Sequence, residues 1–286
     1  MKKIILAIIL SISVITIFQT TAYADMGPKD HLTVYIKNPP NELYYLDLLT
    51  QVPGEYSNIS NNEKALLNQD MVTLLHSHEN DNWFPALAGG TKIPMRGKLT
   101  GKADGNKMVH SFGYHGLPGT YRIIIVTKSG KISVSDIYTR NALQSSITYD
   151  YNTGKGIVPP ILLTYLIQFL MTFSFTIIIE GVILLLFGFK LKENLKVFLL
   201  TNFLTQILLT ITLGFFLINE GPTFAFIVLF PVEIVILFAE TLSYKRYLLG
   251  ESNKRKIAYA IVANIASCAA GLFLLDYLFM FLTKLS

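Results

Sequence analysis

Cysteine is nearly absent: Cys268 is the only one in 286 residues and lies inside an apolar stretch, so no disulfide framework can staple the fold. Histidine is also scarce, and His31, His76, His78, His110 and His115 all fall in the first half. The four apolar stretches of the second half have no Lys, Arg or His in their interior, which leaves any acid there without a cationic protein partner. No Gly-x-Ser-x-Gly elbow, His-Glu-x-x-His pair or phosphate loop occurs, so the common hydrolase, zinc-protease and nucleotide-binding signatures are excluded. A nucleic-acid-binding surface is excluded too. The formal charge is +5, but acids and bases nearly cancel between Asp25 and Gly156. The excess sits in short loops: Lys190, Lys192 and Lys196 in one, Lys245, Arg246, Lys254, Arg255 and Lys256 in another.

What is present begins with Lys2 and Lys3, an apolar run from Ile4 to Phe18, and Ala22-Tyr23-Ala24. A charged start, a short apolar core and a small-x-small site read as a signal peptide over residues 1–24. An uncleaved anchor is the alternative, but a span needs about 20 apolar residues and this run is shorter. Residues 25–156 then form an exported domain. Leu32-Thr33-Val34-Tyr35-Ile36 alternates with period two and predicts a strand, ended by Asn38-Pro39-Pro40. Ser60-Asn61-Asn62-Glu63 is a capping box, and Leu67, Met71, Leu74 and Leu75 follow on one helical face, which predicts a helix over 61–75. Asp104-Gly105 predicts one hairpin; Tyr121–Thr127, a turn over Lys128-Ser129-Gly130, and Lys131–Tyr138 predict another. The expectation is an α+β domain, an antiparallel sheet plus helix. Within it His76-Ser77-His78-Glu79 is a candidate metal site on His76 and His78, against the plainer reading of a solvated loop. The lone Trp83, beside Phe84 and Pro85, reads as core, with a recognition surface as the alternative.

Residues 157–286 predict an all-α four-helix transmembrane bundle, with spans over 161–187, 195–218, 223–243 and 257–282, each long enough for a hydrocarbon layer of about 30 Å. Basic loops 188–196 and 244–256 alternate with Asn219-Glu220-Gly221-Pro222, which has no basic residue. The positive-inside rule then puts both basic loops in the cytoplasm and the exported domain and the C-terminus outside, a multi-pass topology in the plasma membrane.

Each span carries polar residues that lipid does not tolerate cheaply: Glu180; Asn202 and Gln206; Glu233 and Glu240; Asn264. In the first span Thr164, Gln168, Thr172, Thr176 and Glu180 recur every four residues and make one ridge. Thr205 shares a face with Asn202 and Gln206, and Ser267 with Asn264. At about 1.5 Å per residue from the cytoplasmic ends, Glu180, Asn202, Asn264 and Glu240 lie ~12, ~9, ~10 and ~6 Å deep, and Gln206 and Glu233 ~15 and ~16 Å. All six point to one site near the inner leaflet. Carboxyl and amide oxygens without a cationic partner hold a proton or a hard cation, not zinc or copper. The plainer alternative is hydrogen-bonded glue between helices. An intramembrane hydrolase with a Glu-activated water is a further alternative, but no membrane histidine or Ser–Lys pair is there to assist.

The layout resembles a group of Gram-positive membrane proteins that join a signal peptide, a small exported domain and a four-helix membrane unit. The resemblance is carried by Ala24-Asp25-Met26-Gly27-Pro28-Lys29, Tyr44-Tyr45-Leu46-Asp47-Leu48-Leu49 and Lys131-Ile132-Ser133-Val134-Ser135-Asp136. Asn202, Thr205, Gln206, Glu233, Glu240, Tyr244 and Asn264 carry it through the membrane unit. It implies that both halves are one protein and brings no activity. The expected surroundings are lipid and either a membrane-protein partner or further copies of the chain.

Overall fold

The computed structural model describes residues 28–283; the signal peptide expected over 1–24 lies outside the described residues. Alternation builds the first strand, β1 (His31–Lys37), whose Leu32, Val34 and Ile36 are fully buried while their neighbours are half-buried. β1 pairs antiparallel with β6 (Lys107–Gly113) and parallel with β10 (Gln144–Asp150), in a sheet ordered β11-β10-β1-β6-β4. Here β4 is Arg96–Gly97, β11 is Lys155–Ile157, and β5 (Lys102–Asp104) also pairs with β6. The second sheet runs β3-β2-β7-β8, from Phe84–Pro85, Tyr44–Thr50, Thr120–Thr127 and Ile132–Val134, with β9 (Tyr138–Thr139) also on β7.

β2 is buried on both faces. The first sheet supplies Leu32, Val34, Ile36, Phe112, Ile147 and Tyr149 to the same core that holds Leu46, Leu48 and Ile123–Val126. Met71 and Leu75 of a short helix close that core from the helical side. Each such fully buried aliphatic chain is worth about 1.5–3 kcal/mol.

The fold class is the one read from the sequence, α+β followed by four long helices. Two details differ. The strands divide between two sheets, and one pairing, β1 with β10, is parallel. The single helix expected over 61–75 is two, α1 (Asn61–Ala65) behind the capping box and α2 (Gln69–Leu75). The break occurs because the Asn68 side chain accepts from the Met71 N–H and starts a new helix, while the Tyr45 hydroxyl accepts from the Asn68 N–H. Both hairpins form, with Gly105 and Gly130 at positive φ in their turns. Trp83 is core.

Pro159-Pro160 stops the sheet region, and α3 (Ile161–Leu186), α4 (Leu191–Asn219), α5 (Pro222–Tyr247) and α6 (Asn253–Leu282) follow. The shortest has 26 residues, about 39 Å, so all four are long and apolar enough to cross a membrane. The chain is in this sense a multi-pass integral membrane protein in contact with lipid. Each helix packs on the next and α3 on α6, which closes a ring. Two polar staples hold the ends. At one, Asn194 donates to the carbonyls of Lys190 and Leu249 and accepts from the Leu249 N–H at 2.7 Å. At the other, the Leu143 N–H donates to the Ile218 carbonyl at 2.9 Å, tying the sheet region to the α4–α5 turn.

Candidate functional site

The ridge on α3 turns inward: Thr164, Gln168 and Glu180 are buried, while Leu162, Ile178, Val182 and Leu186 face out. Polar faces of the other helices do the same, and three groups of contacts result.

The central group joins all four helices. The Ser267 hydroxyl of α6 donates to Glu180 Oε1 of α3 at 2.9 Å. Glu240 of α5 accepts from Thr205 of α4 at 2.7 Å through one oxygen and from the Asn264 amide of α6 at 2.8 Å through the other. Asn202 of α4 adjoins Glu180 and donates to the Tyr244 hydroxyl of α5 at 2.7 Å. Tyr244 and Tyr259 pack ring to ring, 5.2 Å between centroids, and with Phe189 and Leu248 seal the network toward the 188–196 and 244–256 loops. Three buried oxygens of this group, Glu180 Oε2, Asn202 Oδ1 and the Tyr259 hydroxyl, have no hydrogen-bond partner among the described residues.

A second group lies further from those loops. Gln206 donates to Thr172 Oγ1 at 2.6 Å, and Thr176 lies 3.5 Å from its carbonyl oxygen. Gln168 packs over Gly214, where a β-carbon would press on its amide group and force that side chain to shift.

Glu233 is hydrogen-bonded to neither group, though it is near enough to Glu240 and Glu180 for their charges to interact. It makes no hydrogen bond among the described residues and lines a cavity of about 350 Å³ with Thr172, Thr176, Ser267 and Gly271. Pro231 lies two residues earlier and, having no N–H, leaves the Ile227 carbonyl without its helical partner. Of the six residues expected to share a site, four (Glu180, Asn202, Glu240 and Asn264) are thus in one network, Gln206 is in a neighbouring group, and Glu233 opens elsewhere. Sequence reading missed Tyr259, the Thr201–Ser243 bond at 2.7 Å and the Asn194 staple. Asn194 was within reach, since it precedes Asn202 by two steps of four along the buried face of α4.

Outside the bundle, His76 Nδ1 pairs with Glu79 Oε1 at 2.5 Å and His78 Nδ1 with Asp81 at 3.1 Å, each along its own turn. Among the described residues no three His, Cys, Asp or Glu side chains gather as a metal site would require. His110 is buried, its Nε2 3.0 Å from the Tyr44 hydroxyl, and burial pushes its imidazole down to about 4. Asp47 is fully buried and accepts from the N–H groups of Leu48, Leu87 and Ala88; burial pushes its carboxyl up to about 6 against those three bonds. These two read as parts of the core.

Compared with known proteins, the chain matches no family model, no curated protein and no solved structure.

Proposed function

We propose that the membrane unit holds a proton-binding site centred on Glu180 and Glu240, and that residues 25–156 form an extracytoplasmic binding or sensing domain joined to it. The orientation in this reading follows the positive-inside rule, with the 188–196 and 244–256 loops cytoplasmic and the C-terminus outside. The observation that carries the proposal is the donor and acceptor balance of the central group. Two buried carboxyls share one network with no Lys, Arg or His in it, so ionising both in a low-dielectric layer has no compensating charge. A protonated carboxyl supplies a donor beside the orphaned oxygens of Glu180 and Asn202.

A proton fits this site better than a hard cation. Glu240 already accepts through both oxygens and Glu180 through one, so the network leaves only Glu180 Oε2, Asn202 Oδ1 and the Tyr259 hydroxyl unpartnered, fewer oxygens than the six or more a hard cation takes. Exchange has a short route, because Thr205 also lines a groove of about 450 Å³ between α4 and α5, with Lys196 and Tyr247 among its walls. Four helices are few for a complete transporter, so transport in this reading needs further copies or a partner.

The test is infrared spectroscopy of the protein in lipid. Protonated carboxyls give a carbonyl stretch distinct from that of carboxylates, and it should respond to pH and to Glu180→Gln and Glu240→Gln, each removing part of the band. A spectrum without that band, or one unchanged in both variants, overturns the proposal. A second reading, an anchor that docks a partner, is favoured by the way the same bonds cross-link all four helices. It predicts that the Gln variants are silent in ion-dependent behaviour, while Glu240→Leu lowers co-purification of partners.

A further inference from the structure

Glu233 is a half-buried carboxyl with neither a hydrogen bond nor a basic neighbour among the described residues, and it faces space instead of protein. That space, about 350 Å³, is lined by all four helices and has the size of a small-ligand pocket. Its walls are apolar, built from Phe175, Ile179, Leu213, Leu274 and Leu278. Apart from the hydroxyl of the exposed Tyr277, its polar groups are Glu233, Thr172, Thr176 and Ser267. Phe281 and Tyr277, both exposed, continue the cavity toward the end of α6, so it is open sideways to lipid. One end can therefore take a positive charge and hydrogen-bond donors, and the rest can take only hydrocarbon.

We propose that this cavity binds a hydrophobic monoamine drawn from the membrane, with its ammonium on Glu233 and its apolar body along α6 toward Phe281. Charge complementarity chooses the occupant. A neutral lipid tail would fill the volume but leave the carboxyl unpaired, whereas an ammonium gives it a counter-ion and donates to the free lone pairs of the nearby hydroxyls. Ser267 lines the cavity and also donates to Glu180, so the occupant would sit one side chain from the central network. The binding itself needs neither Glu180 nor Glu240, and its failure is separable from failure of the proton-binding reading.

Gly271 provides a direct experiment. A β-carbon added there meets nothing within 4 Å, so Gly271→Leu adds a side chain at the cavity wall without a clash. The full chain in lipid nanodiscs would be titrated with a fluorescent alkyl monoamine and, separately, with the alcohol of the same chain, using empty nanodiscs as the blank. Saturable binding of the amine is expected, weaker by about tenfold or more for the alcohol and for Glu233→Gln, the scale of a charge-assisted hydrogen bond. Gly271→Leu should abolish binding of both probes. No saturable signal above empty nanodiscs overturns the proposal, as does binding that Gly271→Leu leaves intact. Equal affinity for amine and alcohol overturns the choice of occupant and makes the cavity a seat for neutral chains. Should Glu233→Gln fail to fold, the amine-to-alcohol ratio on the unaltered chain and the Gly271→Leu variant still decide.

Discussion

The sheet region and the helical bundle solve opposite problems with the same rules. In the sheets apolar side chains point in, and the few buried polar groups are tied to backbone, as Asp47 is to three N–H groups. In the bundle large apolar residues such as Ile178, Phe238 and Phe273 point out, and Glu180, Asn202, Glu240 and Asn264 point in. Burial against water drives the first arrangement. In the second, lipid is as apolar as leucine, so packing and interhelical hydrogen bonds must hold the helices together. Removing an inward-facing apolar side chain should therefore matter greatly in the sheets, and removing an outward-facing one little in the bundle.

The largest expected effect is in the sheet core. Leu46 is fully buried between the two sheets, and Leu46→Ala should cost about 2–5 kcal/mol from lost burial and the cavity left behind. Trp83 is the only tryptophan and lies in this core, so denaturant titration followed by its fluorescence reports on the sheet region alone within the full chain. A loss below about 1 kcal/mol would mean the sheets are not packed as one core.

The next effect depends on pH and sets two buried groups against each other. The Asp47 carboxyl is raised to about 6 from an ordinary 3.8, so the folded state binds the extra proton between those values. Its contribution is fully present below about 3.8 and is lost as pH rises through about 6. The His110 imidazole is lowered to about 4 from 6.5, so its contribution is full above 6.5 and is lost as pH falls through about 4. Each shift corresponds to roughly 3 kcal/mol, with opposite slopes across the same window, so the two contributions nearly cancel there. Asp47→Asn should unmask a stability that rises with pH, and His110→Gln one that falls. Trp83 fluorescence in denaturant at a series of pH values reads both. Slopes that match the native chain in either variant would show that the group titrates as it does when unfolded.

What was legible in the sequence follows the range of the interaction. The capping box at Ser60–Glu63, both hairpin turns, the alternation of β1 and the four spans are set by neighbours a few residues apart. The pairing of β1 with β10 joins residues more than a hundred positions apart, His31 with Gln144, and no local pattern encodes it. The break at Asn68 was encoded locally but masked by the continuous apolar face across it. In the bundle, depth turned out to sort the candidates better than helical face. Glu233 and Glu240 lie nearly eclipsed on α5, yet one is about 10 Å higher along the axis and meets different neighbours. Gln206 and Glu233, at ~15 and ~16 Å the furthest of the six from the helix ends at the 188–196 and 244–256 loops, are the two outside the central network.

The smallest expected effect is the sharpest test of the contrast. Ile178 of α3 is 64% exposed, on the face opposite the buried ridge of Gln168 and Glu180. Ile178→Ala removes as much hydrocarbon as many core truncations, but the lost surface is exchanged between lipid and lipid, with no water released and no enclosed hole created. The expected change is within about 0.5 kcal/mol. Helix content followed by circular dichroism during detergent-driven unfolding measures it. A cost approaching that of Leu46→Ala would mean that this face of α3 is covered by protein and not by lipid. Another copy of the chain or a partner would then have to lie against it.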